Sequence, residues 1–542
     1  MTQAPARTPA AETPSETPSE TPAAEPAADA GGAGGSRRHV GVLIIGAGFA
    51  GLGAAIRLAK DGREDFVVIE RGSEVGGTWR DNTYPGAACD VPSHLYSFSF
   101  ELNPNWSRSF SPQPEIQDYL RSVAAKYHLG DKQLYDTEVT LAQWDDAAQQ
   151  WRVDTTGGDF TADVVVSAVG ALCEPKLPDI KGIENFRGEI FHSARWNHSA
   201  DLKGKRVALI GTGASAIQIG PSIVDDVAHL DVYQRTAPWV MPRHDRDYPK
   251  AEKLAYRHVP LLQRAAREAI YWGRELYMVG FGFQPKILQP AQWLAQRNIA
   301  KAIDDPTLRE RVTPNWRIGC KRILISNTWY PMLAREHVDL VTDGIAEIRE
   351  HSIVTADGAE REVDAIVVAT GFHVTDSPTY ERILGRAGRS LADVWDEHGQ
   401  QAYKGAAVAG FPNLLFVVGP NTGLGHSSMV FMIESHLNYL SSALTTKDEQ
   451  SLATFEVKPD VQQRWNERLQ NQMKQTIWTT GGCASWYLDK HGNNTTLWPS
   501  FTFRFRQLTR RFDVEHYVTT QETEADRANA SDRSADREGH AA

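Results

Sequence analysis

Apolar and polar positions divide the chain into strand-length apolar runs, helical stripes and stretches with neither period. Residues 40–45 form an apolar run of strand length, followed by Gly46-Ala47-Gly48-Phe49-Ala50-Gly51. Leu52, Ala55, Ile56, Leu58 and Ala59 then fall at helical spacing, and a second run, residues 66–69, ends at Glu70. The pattern recurs. Residues 206–210 precede Gly211-Thr212-Gly213-Ala214-Ser215-Ala216, and the run 230–234 ends at Arg235. Glu70 lies 24 residues after Gly46, and Arg235 lies 24 residues after Gly211. Each copy closes alike, at residues 163–170 and 364–371, after a segment that reads as short β-hairpins (144–161 and 345–363). Between residues 243 and 317 the period becomes helical: Tyr256, Leu261, Leu262, Ala265 and Ala269 mark one apolar face, and Leu288, Trp293, Leu294 and Ile299 another. Residues 271–283 are rich in aromatic side chains and are read mostly as core, with lining of an apolar substrate entrance as the other reading.

Strand, glycine turn, helix, strand and acid together make a dinucleotide-binding unit, in which glycines let the backbone approach a pyrophosphate at a helix N-terminus. Two copies predict an α/β chain with two Rossmann-like dinucleotide-binding domains and a helical insertion in the second. The expected boundaries are a tail at 1–37, a first domain at 38–175 and 377–518, a second at 176–243 and 319–376, the insertion at 244–318, and a tail at 519–542. The copies differ where the ribose would sit. A carboxylate such as Glu70 accepts hydrogen bonds from two ribose hydroxyls and repels a 2′-phosphate, whereas a guanidinium such as Arg235, with Thr236 beside it, does the reverse. The first site, with Gly46, Gly48 and Gly51, therefore reads as FAD or NAD. The second, with Gly211 to Ala216 and Gln218, reads as NADP.

Composition narrows the class further. The chain has 542 residues, 41% hydrophobic and 23% charged, within the globular range. Much of its net charge of -11 comes from the ends: residues 1–35 carry five acids and one Arg, and residues 521–542 six acids and three Arg. No net basic field draws the chain to nucleic acid or an anionic membrane. Neither end has the composition of a folded or targeting segment, and both are expected to be disordered. Apolar runs fall short of the roughly 18 residues that cross a bilayer, which leaves the cytoplasm as the expected compartment. Cysteines 89, 173, 320 and 483 form no CxxC motif, which argues against a disulfide framework or a metal site. Only Cys89 lies near the first fingerprint, so a disulfide reductase is disfavoured.

Two segments carry a family resemblance. Gly76-Gly77-Thr78-Trp79 leads through Tyr84-Pro85-Gly86 to Asp90, and Phe186, Gly188, His192 and Trp196 recur just before the second fingerprint. These resemble the signature segments of the Baeyer–Villiger monooxygenases, the ketone-oxidising branch of the class B flavoprotein monooxygenases. Similarity extends over residues 39–517 and includes Ala369-Thr370-Gly371, Phe411-Pro412-Asn413 and Ser485-Trp486-Tyr487. Asn197 departs from the family pattern, which usually has Pro or Asp there. Heteroatom-oxidising relatives carry Phe or Tyr in place of Trp196, so N- or S-oxygenation is the alternative. A nucleotide-binding protein without turnover is a third reading.

The resemblance implies FAD and NADP(H) as cofactors, and O2 and a ketone as substrates. It implies a C4a-peroxyflavin that attacks the ketone to give an ester or lactone. By the same resemblance, Arg322 keeps the peroxide anionic, Asp90 orients Arg322, and Lys321 supports the 2′-phosphate with Arg235. Gly77, Thr78, Trp79 and Tyr96 would lie along the flavin, Val139 near its adenine, and Trp486 near the nicotinamide ribose. His192 belongs to the signature rather than to proton transfer. Which ketone is taken, and the oligomeric state, do not follow from the sequence.

Overall fold

The computed structural model describes residues 37–483 and 485–523; the N-terminal tail and the end of the C-terminal tail lie outside the described residues. Strand Arg38–Ile45 pairs in parallel with Phe66–Ile69 on one side and Phe160–Ser167 on the other. These strands are buried on both faces, which is why they read as continuous apolar runs rather than as alternation. They form the centre of an eight-stranded sheet, extended by the antiparallel pair Val139–Asp145 and Gln150–Thr155. Helix Phe49–Lys60 follows the first strand and packs in one apolar core with the long helix Met429–Glu449 from the far end of the chain.

A second sheet has five parallel strands in the order Val338–Val341, His229–Tyr233, Arg206–Ile210, Ala365–Val368 and Glu189–His192. The three strands Ile345–Ile348, Ser352–Thr355 and Glu360–Glu362 form the antiparallel excursion expected before its last strand. Between the halves of this sheet's sequence lie helices Lys250–His258, Pro260–Glu275, Gln289–Ala302 and Pro306–Val312. The short parallel pair Val240–Met241 and Leu324–Ile325 brackets them.

Two expectations are corrected. Strand Tyr517–Gln521 pairs with Leu452–Val457, so ordered chain runs past residue 519, where composition placed the tail. The helical stripes are also misplaced. Leu261, Leu262, Ala265 and Ala269 are exposed, and helix Pro260–Glu275 buries Gln263, Arg267, Tyr271 and Glu275 instead. In the next long helix Ile299 is buried as expected, but Trp293 and Leu294 are exposed. Of the aromatic segment, Tyr271 and Phe281 are core, while Trp272, Tyr277 and Phe283 are exposed. Hydrophobic period located the helices but not the face that each buries.

Three buried histidines set an acid limit on the fold. Burial pulls His94, His192 and His436 down to about 4. His436 is held neutral, accepting from the Val418 N–H at Nδ1 (2.8 Å) and bonding the Lys404 carbonyl through Nε2 (2.9 Å). In the unfolded chain these groups protonate near 6.5. Between about 6.5 and about 4 the unfolded state therefore binds more protons, and stability falls as pH falls through that window. Thermal unfolding followed from pH 7.5 to 4.5 is expected to show Tm dropping below pH 6.5. His436→Gln should flatten part of that slope.

Candidate active site

The parallel register brings the first fingerprint to one edge. Ile45 is level with Ile69 and Ser167, so Gly46, Glu70 and Ala168 emerge side by side at the carboxyl ends of the strands. Gly46 has φ +103°, and a Cβ on Gly51 would lie 1.8 Å from the Gly46 carbonyl oxygen. Only glycines let this helix start so close to its strand. The buried Glu70 carboxylate accepts from the N–H groups of Ala47 and Gly72 (2.8 Å each) and from Arg80 (2.7 Å). It therefore ties the glycine turn to the second strand. Arg80 is a site residue that the motifs did not reveal.

A cavity opens from this edge. Gly46, Gly48, Glu70, Gly77, Thr78, Trp79, Tyr96 and Val139 line it, together with Arg322, Trp486 and Tyr487. The hydroxyls of Ser167, Thr495 and Thr496, also in its wall, are buried without a protein partner. A glycine cradle and partnerless wall hydroxyls fit a large polar cofactor such as FAD. The Trp79 indole donates to the Tyr96 hydroxyl (3.1 Å) and the two rings meet edge to face, which fixes both in the wall.

In the second copy Ile210 is level with Tyr233 and Val368, and the turn Gly211 to Ser215 leads into helix Ala216–Ile223. The Thr212 hydroxyl donates to the Thr236 carbonyl (3.2 Å), linking turn and strand end. Gln218 is engaged differently from the expectation. Its amide accepts from Tyr84 (3.0 Å) and donates to the Ala88 carbonyl (3.0 Å), joining this helix to the first signature segment. Val240 pairs in parallel with Leu324, Arg235 preceding the first and Lys321 the second, and the two side chains are near enough to interact. Burial and the Arg235 guanidinium both depress the Lys321 ammonium. Two like charges held in proximity are costly until an anion joins them, and a 2′-phosphate answers that need.

One residue beyond Lys321, Arg322 grips both oxygens of Asp90, at 2.5 and 2.7 Å. Burial works to raise the Asp90 carboxyl, but Arg322, with Arg274 behind it, holds it below the usual carboxylate range. Asp90 in turn raises Arg322, which remains protonated at any working pH. The Arg322 side chain is 41% exposed and lines the cavity, so N–H groups not used by Asp90 are available to another anion. Arg274, from the helical insertion, donates to the Asp90 carbonyl oxygen (3.0 Å). Tyr487, pushed up to about 12 by burial, stands near the same pair. Arg274 carries no local sequence signal, and Tyr487 is marked only by the resemblance at residues 485–487.

The second signature segment lies at the edge of the second sheet. Phe186 packs in its core, Gly188 precedes the edge strand, and Trp196 meets Phe191 edge to face. His192 accepts from the Ala194 N–H at Nδ1 (3.1 Å) and is buried in its neutral form. That state suits a structural histidine rather than an acid. Asn197, the departure from the pattern, bonds the Glu189 carboxylate (3.0 Å) and the Ser199 N–H (3.0 Å) as a local turn cap.

Two clusters bear on other chemistries. Cys320 and Cys483 form a disulfide, contrary to the expectation from their spacing; 163 residues separate them, and only the folded chain brings them together. The bridge ties the segment carrying Lys321 and Arg322 to the loop carrying Trp486. Neither cysteine is among the residues lining the cavity, so the pair is not placed to exchange electrons there. Cys483→Ser is expected to lower stability by about 2 kcal/mol or more, read as a lower Tm under non-reducing conditions that vanishes when wild type is reduced. His229, Asp231 and Asp339 also converge, but the Arg361 guanidinium bridges both carboxylates at 2.8 Å and supplies the cation.

Comparison with known proteins agrees with this geometry. A family model described as pyridine nucleotide-disulphide oxidoreductase matches residues 43–251. A Baeyer–Villiger monooxygenase of Streptomyces coelicolor is 53% identical over 481 residues, covering 88% of this chain and 92% of its own length. Another, from Pseudomonas aeruginosa, is 50% identical over 485 residues, covering 89% and 92%. Among solved structures, an oxidized steroid monooxygenase bound to NADP superposes with a TM-score of 0.78 at 30% identity, covering 90% of this chain and all of that one.

Proposed function

We propose that this chain, which belongs to the Baeyer–Villiger monooxygenases, uses FAD, NADPH and O2 to insert one oxygen atom beside a ketone carbonyl, giving an ester or lactone. The observation that carries this reading is the Arg322–Asp90 ion pair, in which Nη2 donates to both carboxylate oxygens, with Arg322 in the wall of the cavity that begins at the first glycine turn. FAD bound in that cavity and reduced by NADPH supplies the activated oxygen.

The chain's own residues then do three things. Arg235 and Lys321 hold the 2′-phosphate, which selects NADPH over NADH. Trp79 and Tyr96, locked by their mutual hydrogen bond, give the cavity a rigid wall. Arg322 presents a permanent positive charge where negative charge develops on oxygen, and Asp90 fixes its direction beforehand. A preoriented cation costs no reorganisation during reaction and favours oxygen as a nucleophile, which is what attack on a ketone carbonyl requires. Oxygen transfer to nitrogen or sulfur uses an electrophilic oxygen and gains nothing from such a cation.

Turnover of ketones that also bear a thioether tests the reading, with products separated by mass spectrometry. Ester or lactone is the expected main product. Sulfoxide alone would favour the heteroatom-oxidising alternative and contradict the role given to Arg322.

A further inference from the structure

Helix Pro260–Glu275 packs with its polar face inward. Arg267 donates to the carbonyls of His94 (2.6 Å) and Leu95 (3.2 Å), and Gln263 to that of Asn103 (2.6 Å). Glu275 accepts from the Thr502 N–H (2.9 Å) and hydroxyl (2.7 Å). These bonds fix the helix's rotation, and its apolar stripe is left in water: Leu261 is 71% exposed, Trp272 54% and Leu276 69%. The stripe continues sideways as an aromatic row. Trp272 lies 5.9 Å from Phe503, Phe503 stacks on Phe501 at 5.2 Å, and Phe501 stacks on Phe283 at 5.4 Å between ring centres. A monomer rarely leaves so continuous an apolar surface in water without a use for it.

Charge identifies the occupant. In a chain of net charge -11, residues 250–302 expose six Lys and Arg against one Glu, and residues 501–512 expose three Arg and contain no acid. We propose that this face docks on an anionic lipid bilayer, with Leu261, Trp272 and Leu276 entering the interface and the surrounding cations meeting lipid phosphates. Exposed Trp and Leu on a basic helical surface are the physical signature of a helix lying in the membrane plane. A second copy of this chain fits less well, since a two-fold contact would set this cationic surface against itself. Among the described residues no helix is long and apolar enough to cross a membrane, so the contact is peripheral.

The placement has a functional consequence. The same helix reaches Asp90 from its inner side through Arg274, so one helix layer separates the docking face from the Asp90–Arg322 pair. Apolar ketones dissolved in lipid would thereby be concentrated beside the cavity. The docking itself is independent of what reaction the cavity performs.

Co-sedimentation of the full-length holoprotein with vesicles tests the proposal without turnover. Vesicles of phosphatidylcholine alone are compared with vesicles also containing phosphatidylglycerol. The expected result is binding to the anionic vesicles that weakens with added salt, with little binding to the neutral ones. Leu276→Glu and Trp272→Glu should each weaken it about tenfold or more, leaving FAD content, Tm and turnover of a water-soluble ketone unchanged. No binding to anionic vesicles, equal binding to both kinds, or full binding by both variants would overturn it. A dimer in sedimentation velocity that Leu276→Glu dissociates, without vesicle binding, would assign the face to a second copy and overturn it equally.

Discussion

Arg322→Ala is expected to lower ester formation by at least about a hundredfold while NADPH oxidation continues, with the electrons appearing as hydrogen peroxide. The variant removes the cavity-lining cation that Asp90 holds in place beside Trp486 and Tyr487. It also leaves the half-buried Asp90 without its hydrogen-bonded partner, with Arg274 and Arg243 as nearby cations, so its carboxyl should rise and some stability should be lost. FAD content and Tm must therefore be measured beside activity, and Arg322→Lys serves as a control that keeps the charge but not the planar guanidinium with its further N–H groups. The signature of the proposed role is a split between the two activities: reduction by NADPH retained, oxygen transfer lost. Normal ester turnover in Arg322→Ala would remove Arg322 from the mechanism.

The second large effect is expected at the other nucleotide. Arg235→Ala should raise KM for NADPH by about 10- to 100-fold with little change in kcat at saturation, and leave the constants for NADH nearly unaltered. Lys321 is close enough to Arg235 for the two charges to interact, so Arg235→Ala/Lys321→Ala should erase most of the preference for NADPH. An equal loss with both nucleotides would mean that Arg235 supports the fold rather than the 2′-phosphate.

Both fingerprints were legible because their chemistry is local: each glycine turn, helix start and terminal residue lies within one short stretch of chain. Arg235 could be read from its register alone, and in the fold it follows two residues after Tyr233, which lies level with Ile210. Asp90 and Arg322 stand 232 residues apart, and nothing in either neighbourhood pairs them; the family resemblance did so, and the contact of Nη2 with both Asp90 oxygens agrees with that pairing. Arg274 remained hidden for the same reason, since its partner is a backbone carbonyl 184 residues away. Arg80 lay within the motif but needed the folded turn to meet Glu70. The Cys320–Cys483 bridge shows that spacing rules cover only local cysteine motifs.

The helical insertion shows the opposite failure. Its apolar period was real, but burial did not follow from it: hydrogen bonds from Gln263, Arg267 and Glu275 decided which side faces inward. Apolar stripes normally face a core because nothing else covers them. Here a buried polar network overrides that preference, and the exposed stripe becomes a property of the surface.

The most direct test of the whole account is turnover of a ketone with NADPH under isotopically labelled oxygen-18 gas, with the product weighed by mass spectrometry. One labelled atom in the ring or bridging oxygen of an ester or lactone, and none in its carbonyl beyond exchange, is the predicted result. Label found only in a sulfoxide, in water or in hydrogen peroxide across a broad ketone panel would contradict it.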